Sequence, residues 1–212
     1  YTAQKQSNGT YKITIDMGNH NYNEGTYQIA CYIVDGNGIQ TGITSGSCQM
    51  KAPNIYLEAK DTAGTEKEFQ ISLTNAGVYG DIRQVQFAVW SVQGGQDDLI
   101  WYGAEKKNAG TWTKTVKIKD HKTLGTYNVH AYITLANGSV KTKTTTFNVS
   151  RPTAGISVSE YNESSGNFNV TINNIKSVSG VEAVMVPVWC ASDQSDLVWY
   201  LSLIHISEPT RR

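Results

Sequence analysis

Two stretches of the chain carry side chains whose type and spacing suggest chemistry. Val89-Trp90 is followed, across a Gly-rich turn, by Asp98-Leu99-Ile100-Trp101-Tyr102, and Val188-Trp189 is followed by Asp196-Leu197-Val198-Trp199-Tyr200. Paired indoles offer flat apolar faces with a polar edge, the type of surface that stacks on sugar rings when it faces solvent and that simply packs when it does not. Asp98 and Tyr132 would supply a polar rim. Asp97-Asp98 with His121 offers an acid and a base, but acid–base catalysis needs a cleft and further partners, and the second copy keeps only Asp196. An aspartate that caps a turn by accepting backbone amides accounts for both copies more simply. No nucleophile elbow, phosphate loop, dinucleotide fingerprint or zinc spacing occurs, so no catalytic, cofactor or metal residue is assigned.

Those side chains must be positioned by strands. Alternation places Phe69, Ile71 and Leu73 on one face, as it does Val85, Phe87 and Val89, then Val116 and Ile118, then Tyr127, Val129, Ala131 and Ile133. Turn signals at Ala63-Gly64, Gly94-Gly95, Ala109-Gly110, Leu124-Gly125 and Asn137-Gly138 separate seven expected strands, near 54–61, 67–75, 84–92, 98–106, 111–119, 126–135 and 139–149. Seven antiparallel strands in about a hundred residues is the rhythm of an immunoglobulin-like β-sandwich. A hairpin centred between Gly95 and Gln96 sets Trp90 directly opposite Trp101. The third copy loses one residue inside its turn, from Ala191 to Ser195, and is expected to keep Trp189 opposite Trp199. Val85, Phe87, Val89, Ile100, Tyr102 and Ala104 share one face, and Gln86, Ala88, Trp90, Leu99 and Trp101 the other; both are apolar enough to be core.

The pattern recurs along the whole chain. Gly9-Thr10-Tyr11 matches Gly110-Thr111-Trp112, Gly25-Thr26-Tyr27 matches Gly125-Thr126-Tyr127, and Tyr1, Tyr102 and Tyr200 occupy one repeat position. The array is therefore read as tandem modules: 1–50 the C-terminal half of a repeat, 54–149 a complete repeat, and 153–200 the N-terminal half of another. Each half leaves a sheet edge unpaired and an apolar face uncovered, so both are expected to fray or aggregate. Pro53 and Pro152 mark short, stiff joints. If every connection reverses the chain, the loops 93–97 and 120–124 lie at one end of the module, bringing His121 beside Asp97 and Asp98 and near the next module. His20 is the repeat equivalent of His121. Residues 201–212 have no counterpart and read as a translated sequencing adapter, with a divergent strand as the alternative; His205 is not a site candidate.

Eighteen basic and eighteen acidic residues leave no net charge, which removes the electrostatic attraction to nucleic acid or an anionic membrane. No apolar stretch approaches the length of a membrane span. Cys31, Cys48 and Cys190 have no metal-ligand spacing. With Asn37-Gly38 as the turn, Cys31 pairs near Gly42 and Cys48 lies about six residues further along, too far for a disulfide at about 3.3 Å per residue. The three are read as buried free thiols.

Val89-Trp90-Ser91, Gly95-Gln96-Asp97-Asp98-Leu99-Ile100-Trp101-Tyr102, His121 and Gly125-Thr126-Tyr127-Asn128-Val129-His130-Ala131-Tyr132 together resemble the GBS Bsp-like repeat of Gram-positive surface and secreted proteins. The resemblance covers essentially residues 1–200. It implies immunoglobulin-like modules strung beside peptidoglycan hydrolase or other cell-wall domains, hence a secreted or wall-associated accessory region with no catalytic residues of its own. The expected role is a non-enzymatic spacer and cell-wall-binding region whose partners are neighbouring repeats and peptidoglycan or another wall glycan. The alternative is a carbohydrate-binding module using the tryptophan pairs. The ligand or module contacts would then come from Trp90, Asp98, Trp101, Tyr102, His121, Tyr132, Trp189, Asp196, Trp199 and Tyr200.

Overall fold

The computed structural model describes residues 2–51, 53–121 and 123–203. Its strands in chain order are β1 (Gln4–Lys5), β2 (Tyr11–Lys12), β3 (Gly25–Val34), β4 (Gln40–Met50), β5 (Tyr56–Lys60), β6 (Glu68–Thr74), β7 (Ile82–Ser91), β8 (Ile100–Gly103), β9 (Glu105–Asn108), β10 (Thr111–Lys117), β11 (Gly125–Leu135), β12 (Val140–Val149), β13 (Thr153–Val158), β14 (Val170–Lys176), β15 (Ala183–Val188) and β16 (Val198–Leu203). Among the described residues only short 3-10 turns interrupt them, at Met17–His20, Ala76–Tyr79 and Ile118–Asp120. No helix among the described residues is long and apolar enough to cross a membrane.

The chain is all-β, and the segment 56–149 closes into an immunoglobulin-like sandwich. One four-stranded sheet has the order β5-β6-β10-β9 and the other β12-β11-β7-β8. The expected alternation explains the closure: Phe69, Ile71, Leu73, Val85, Phe87, Val89, Val116, Val129, Ala131 and Ile133 all turn inward and lose essentially all contact with solvent. The expected strand 98–106 is divided at Ala104. Its first half pairs with β7 and its second with β10, so one length of chain edges both sheets.

Outside 56–149 the strands form two-stranded sheets only, β1-β2, β3-β4, β13-β14 and β15-β16. Positions that are core in the sandwich are open there. Ile29 is 49% and Phe168 45% exposed, while their counterparts Val129 and Phe69 are both 0%. The same lack of a covering sheet corrects the reading of the cysteines: Cys31, Cys48 and Cys190 are free thiols but exposed, not buried. Cys31 pairs with Thr44 beside a register shift, and Cys48 with Tyr27. At the far end, Leu201, Ser202 and Leu203 continue β16 opposite Met185, Val184 and Ala183. The expectation of a foreign tail falls, from Ile204 on, outside the described residues.

Candidate functional site

The β7–β8 hairpin places the tryptophans on one face, but not opposite each other. Ala88 lies opposite Trp101 and Val89 opposite Ile100, so Trp90 stands two residues along on the diagonal. The hairpin is centred between Gly94 and Gly95, one residue before the expected centre, and within its loop Asp98 Oδ1 accepts the Ser91 amide at 2.9 Å. A shift of two residues preserves the faces, whereas a shift of one would exchange them. In the third unit Pro187 lies opposite Trp199, and Asp196 accepts the Cys190 and Ala191 amides, each at 2.9 Å. The deletion is thus absorbed in the turn, and the diagonal is the same in both hairpins. Trp189, Asp196, Trp199 and Tyr200 are all exposed.

On the module's outer face Trp101 is 50% exposed, with its ring centroid 4.9 Å from Tyr132. Tyr132 lies 6.5 Å from His130, which in turn meets Trp90 edge-on at 4.6 Å. The reason is the register of β11 against β7, which sets Asn128 beside Trp90, His130 beside Ala88 and Tyr132 beside Gln86. The small Ala88 lies beneath the rings and is itself buried. The result is an aromatic row crossing β8, β7 and β11. His130, whose repeat equivalent counted from Gly25 and Gly125 is Ala30, is a member of it.

Asp98, Tyr102 and His121 lie on the other side of the hairpin and belong to the interior, so Asp98 does not rim the aromatic row. His121 Nδ1 is 3.4 Å from Asp98 Oδ2 and 3.2 Å from the Asp98 carbonyl oxygen, with the His121 and Asp98 side chains 0% and 1% exposed. Tyr102 Oη is 3.2 Å from His121 Nε2. These contacts tie the 92–99 loop to the 118–124 loop, with Asp98 Oδ2 approaching His121 without hydrogen-bond geometry. Tyr127 closes the cluster, its ring edge-on to His121 at 5.1 Å. Burial, then Asp120 and Asp98, pushes the Tyr102 phenol up to about 12. Burial, then Asp98 and Tyr102, does the same to Tyr127.

Tyr127 also carries a feature that pattern reading passed over. Its hydroxyl donates to the Thr123 carbonyl, and the Tyr27 hydroxyl donates to the Asn23 carbonyl at 2.8 Å. This is the tyrosine corner of immunoglobulin-like folds, and the repeated Gly-Thr-Tyr is its signal. His20 meets Tyr27 edge-on at 5.2 Å, as His121 meets Tyr127. No group of residues able to hold a metal occurs among the described residues.

A family model described as the GBS Bsp-like repeat matches residues 1–48, 58–147 and 157–208. The comparison with curated proteins gave no match. Among solved structures, a polysaccharide deacetylase from Bacillus cereus is similar at 15% identity with a TM-score of 0.35, over 47% of this chain and 31% of that one. A tetra-tandem repeat in the extending region of a large adhesion protein is similar at 15% identity with a TM-score of 0.40, over 96% of this chain and 51% of that one. The chain therefore spans about a third and about half of the lengths of those two proteins.

Proposed function

The chain belongs to the GBS Bsp-like repeat family, and from that premise we propose that it is a non-enzymatic extracellular spacer and cell-wall-binding region of a larger Gram-positive surface or peptidoglycan-hydrolase-type protein. Residues 54–149 are its complete repeat. The observation that carries this reading is the fate of the acid–base candidates. Asp98 and His121 are spent on each other, on Tyr102 and on the Ser91 amide, out of solvent, where they brace two loops. What the module offers outward is sheet surface.

A second reading is favoured by one part of that surface. The half-exposed Trp101, tilted against Tyr132 with His130 and Trp90 continuing the row, presents one indole face that can stack on a sugar ring of a wall glycan. Sedimentation of the full chain with purified peptidoglycan tests both readings, using Trp101→Ala, which removes the most exposed ring of the row. Wild-type binding lost in Trp101→Ala supports the platform. Binding unchanged in the variant assigns the wall contact elsewhere, and no binding leaves the spacer role. Release of soluble wall fragments that His121→Ala abolishes overturns the non-enzymatic reading.

A further inference from the structure

The complete module and the unit before it meet through Tyr22. The loop that presents it is preorganised. Asp16 caps the 3-10 turn Met17–His20 by accepting the Gly18 amide at 2.8 Å. Asn21 and Tyr22 then both take left-handed conformations, with φ 55 and 52. Two successive left-handed residues other than glycine are costly, and local bonds hold them: Asn21 N–H to Gly18 O at 3.1 Å, Tyr22 N–H to Met17 O at 3.0 Å, and Asn23 N–H to His20 O at 3.1 Å.

The module meets this projecting ring with a matching surface. Tyr79, buried at the end of the Ala76–Tyr79 turn, takes the Tyr22 ring edge-on at 5.3 Å. Gly80 has φ 70, and a Cβ there would stand 3.1 Å from the Tyr22 hydroxyl, so glycine provides both the turn and the clearance. Asn137 Nδ2 donates to Asn21 Oδ1 at 2.8 Å and to Gly18 O at 3.4 Å. Lys141 Nζ reaches Tyr22 O at 3.5 Å and Asn23 Oδ1 at 3.4 Å.

We propose that Tyr79, Gly80, Asn137 and Lys141 form a socket for the preceding repeat, whose Tyr22 plugs into it and fixes the direction of one module on the next. This rests on the spacer reading and deepens it, because the reach of a spacer depends on the stiffness of its joints. The joint is not uniform along the chain. The module's own loop, His121 to Gly125, is one residue shorter than His20 to Gly25 and holds no tyrosine, and Val178 stands four residues after Asn174 where Tyr79 stands four after Asn75. The first joint is therefore stiff, and the second lacks both halves of the device.

Residual dipolar couplings on the full chain test this. In the wild type, amides of 25–50 and 54–149 fit one alignment tensor, while those of 153–203 need another. Tyr22→Ala and, separately, Asn137→Asp cause loss of the shared tensor. Asn137→Asp keeps the oxygen that accepts from Ser139 and removes the donor to Asn21. It lies on a turn of the closed sandwich, so it remains decisive if Tyr22→Ala unfolds the first unit. Separate tensors for 25–50 and 54–149 in the wild type, or a shared tensor in both variants, would overturn the socket. Peptidoglycan sedimentation and release are read independently, so failure of the spacer reading is told apart from failure of the joint.

Discussion

At the scale of single residues, two tyrosine phenols pack into the module beside Asp98 and His121. Tyr102 and Tyr127 have phenols raised to about 12 by burial first, and by nearby carboxylates second. An unfolded tyrosine ionises near about 10. The folded pKa being the higher, the stability these two residues contribute is fully present below about pH 10 and is lost as the pH rises toward 12. The melting temperature of the full chain should therefore be level from pH 8 to about 10 and fall steeply above it. Tyr127→Phe should flatten that fall, at the cost of the corner bond, about 1 kcal/mol at neutral pH. A thermal melt series across pH, followed by circular dichroism, checks both. A fall of equal steepness in the variant would remove Tyr127 from the account.

At the scale of elements, the β7–β8 hairpin shows what the repeat retains. One residue fewer in the third unit's turn leaves the pairing of Trp199 with Pro187 in the same relation as Trp101 with Ala88. The capping aspartate explains this. It ends the strand from inside the loop, so the loop can lose a residue without moving the ladder. Deleting Gly95 from the module should accordingly keep Ala88 opposite Trp101, seen as cross-strand Hα contacts by nuclear Overhauser measurements. A one-residue slip would instead drive Trp101 inward and expose Tyr102, and its observation would refute the capping account. The direct Trp90–Trp101 pairing failed because the hairpin is centred between Gly94 and Gly95, one residue before the expected centre. The run Gly94-Gly95-Gln96 fits either centre, so the turn residues alone do not choose between them.

At the scale of the molecule, stability is uneven. Among the described residues only 56–149 has two facing sheets, and two-stranded sheets alone bury too little to be independently stable. Hydrogen exchange on the full chain should protect β6, β7 and β11 most strongly, with β3, β4 and β13 to β16 exchanging much faster. Equal protection throughout would mean that the open faces bearing Ile29, Ile33, Phe168 and Val158 are covered in solution by another copy of the chain.

The array, the strand faces and the module's size were legible in the residues because a hundred-residue period and a two-residue alternation need no third dimension to be seen. The Gly-Thr-Tyr of the tyrosine corner was also in plain view, but its meaning depends on a carbonyl four residues back that only the folded corner brings near. Tertiary structure alone decided which of two equally apolar hairpin faces is the core, because that depends on where the opposing sheet lies. It alone buried Asp98 and His121 against each other, at the end of the sandwich where the reversal of successive strands already sets their two loops. And it alone joined Tyr22 to Tyr79, since a contact between modules depends on how one fold sits on the next, which strand alternation does not encode.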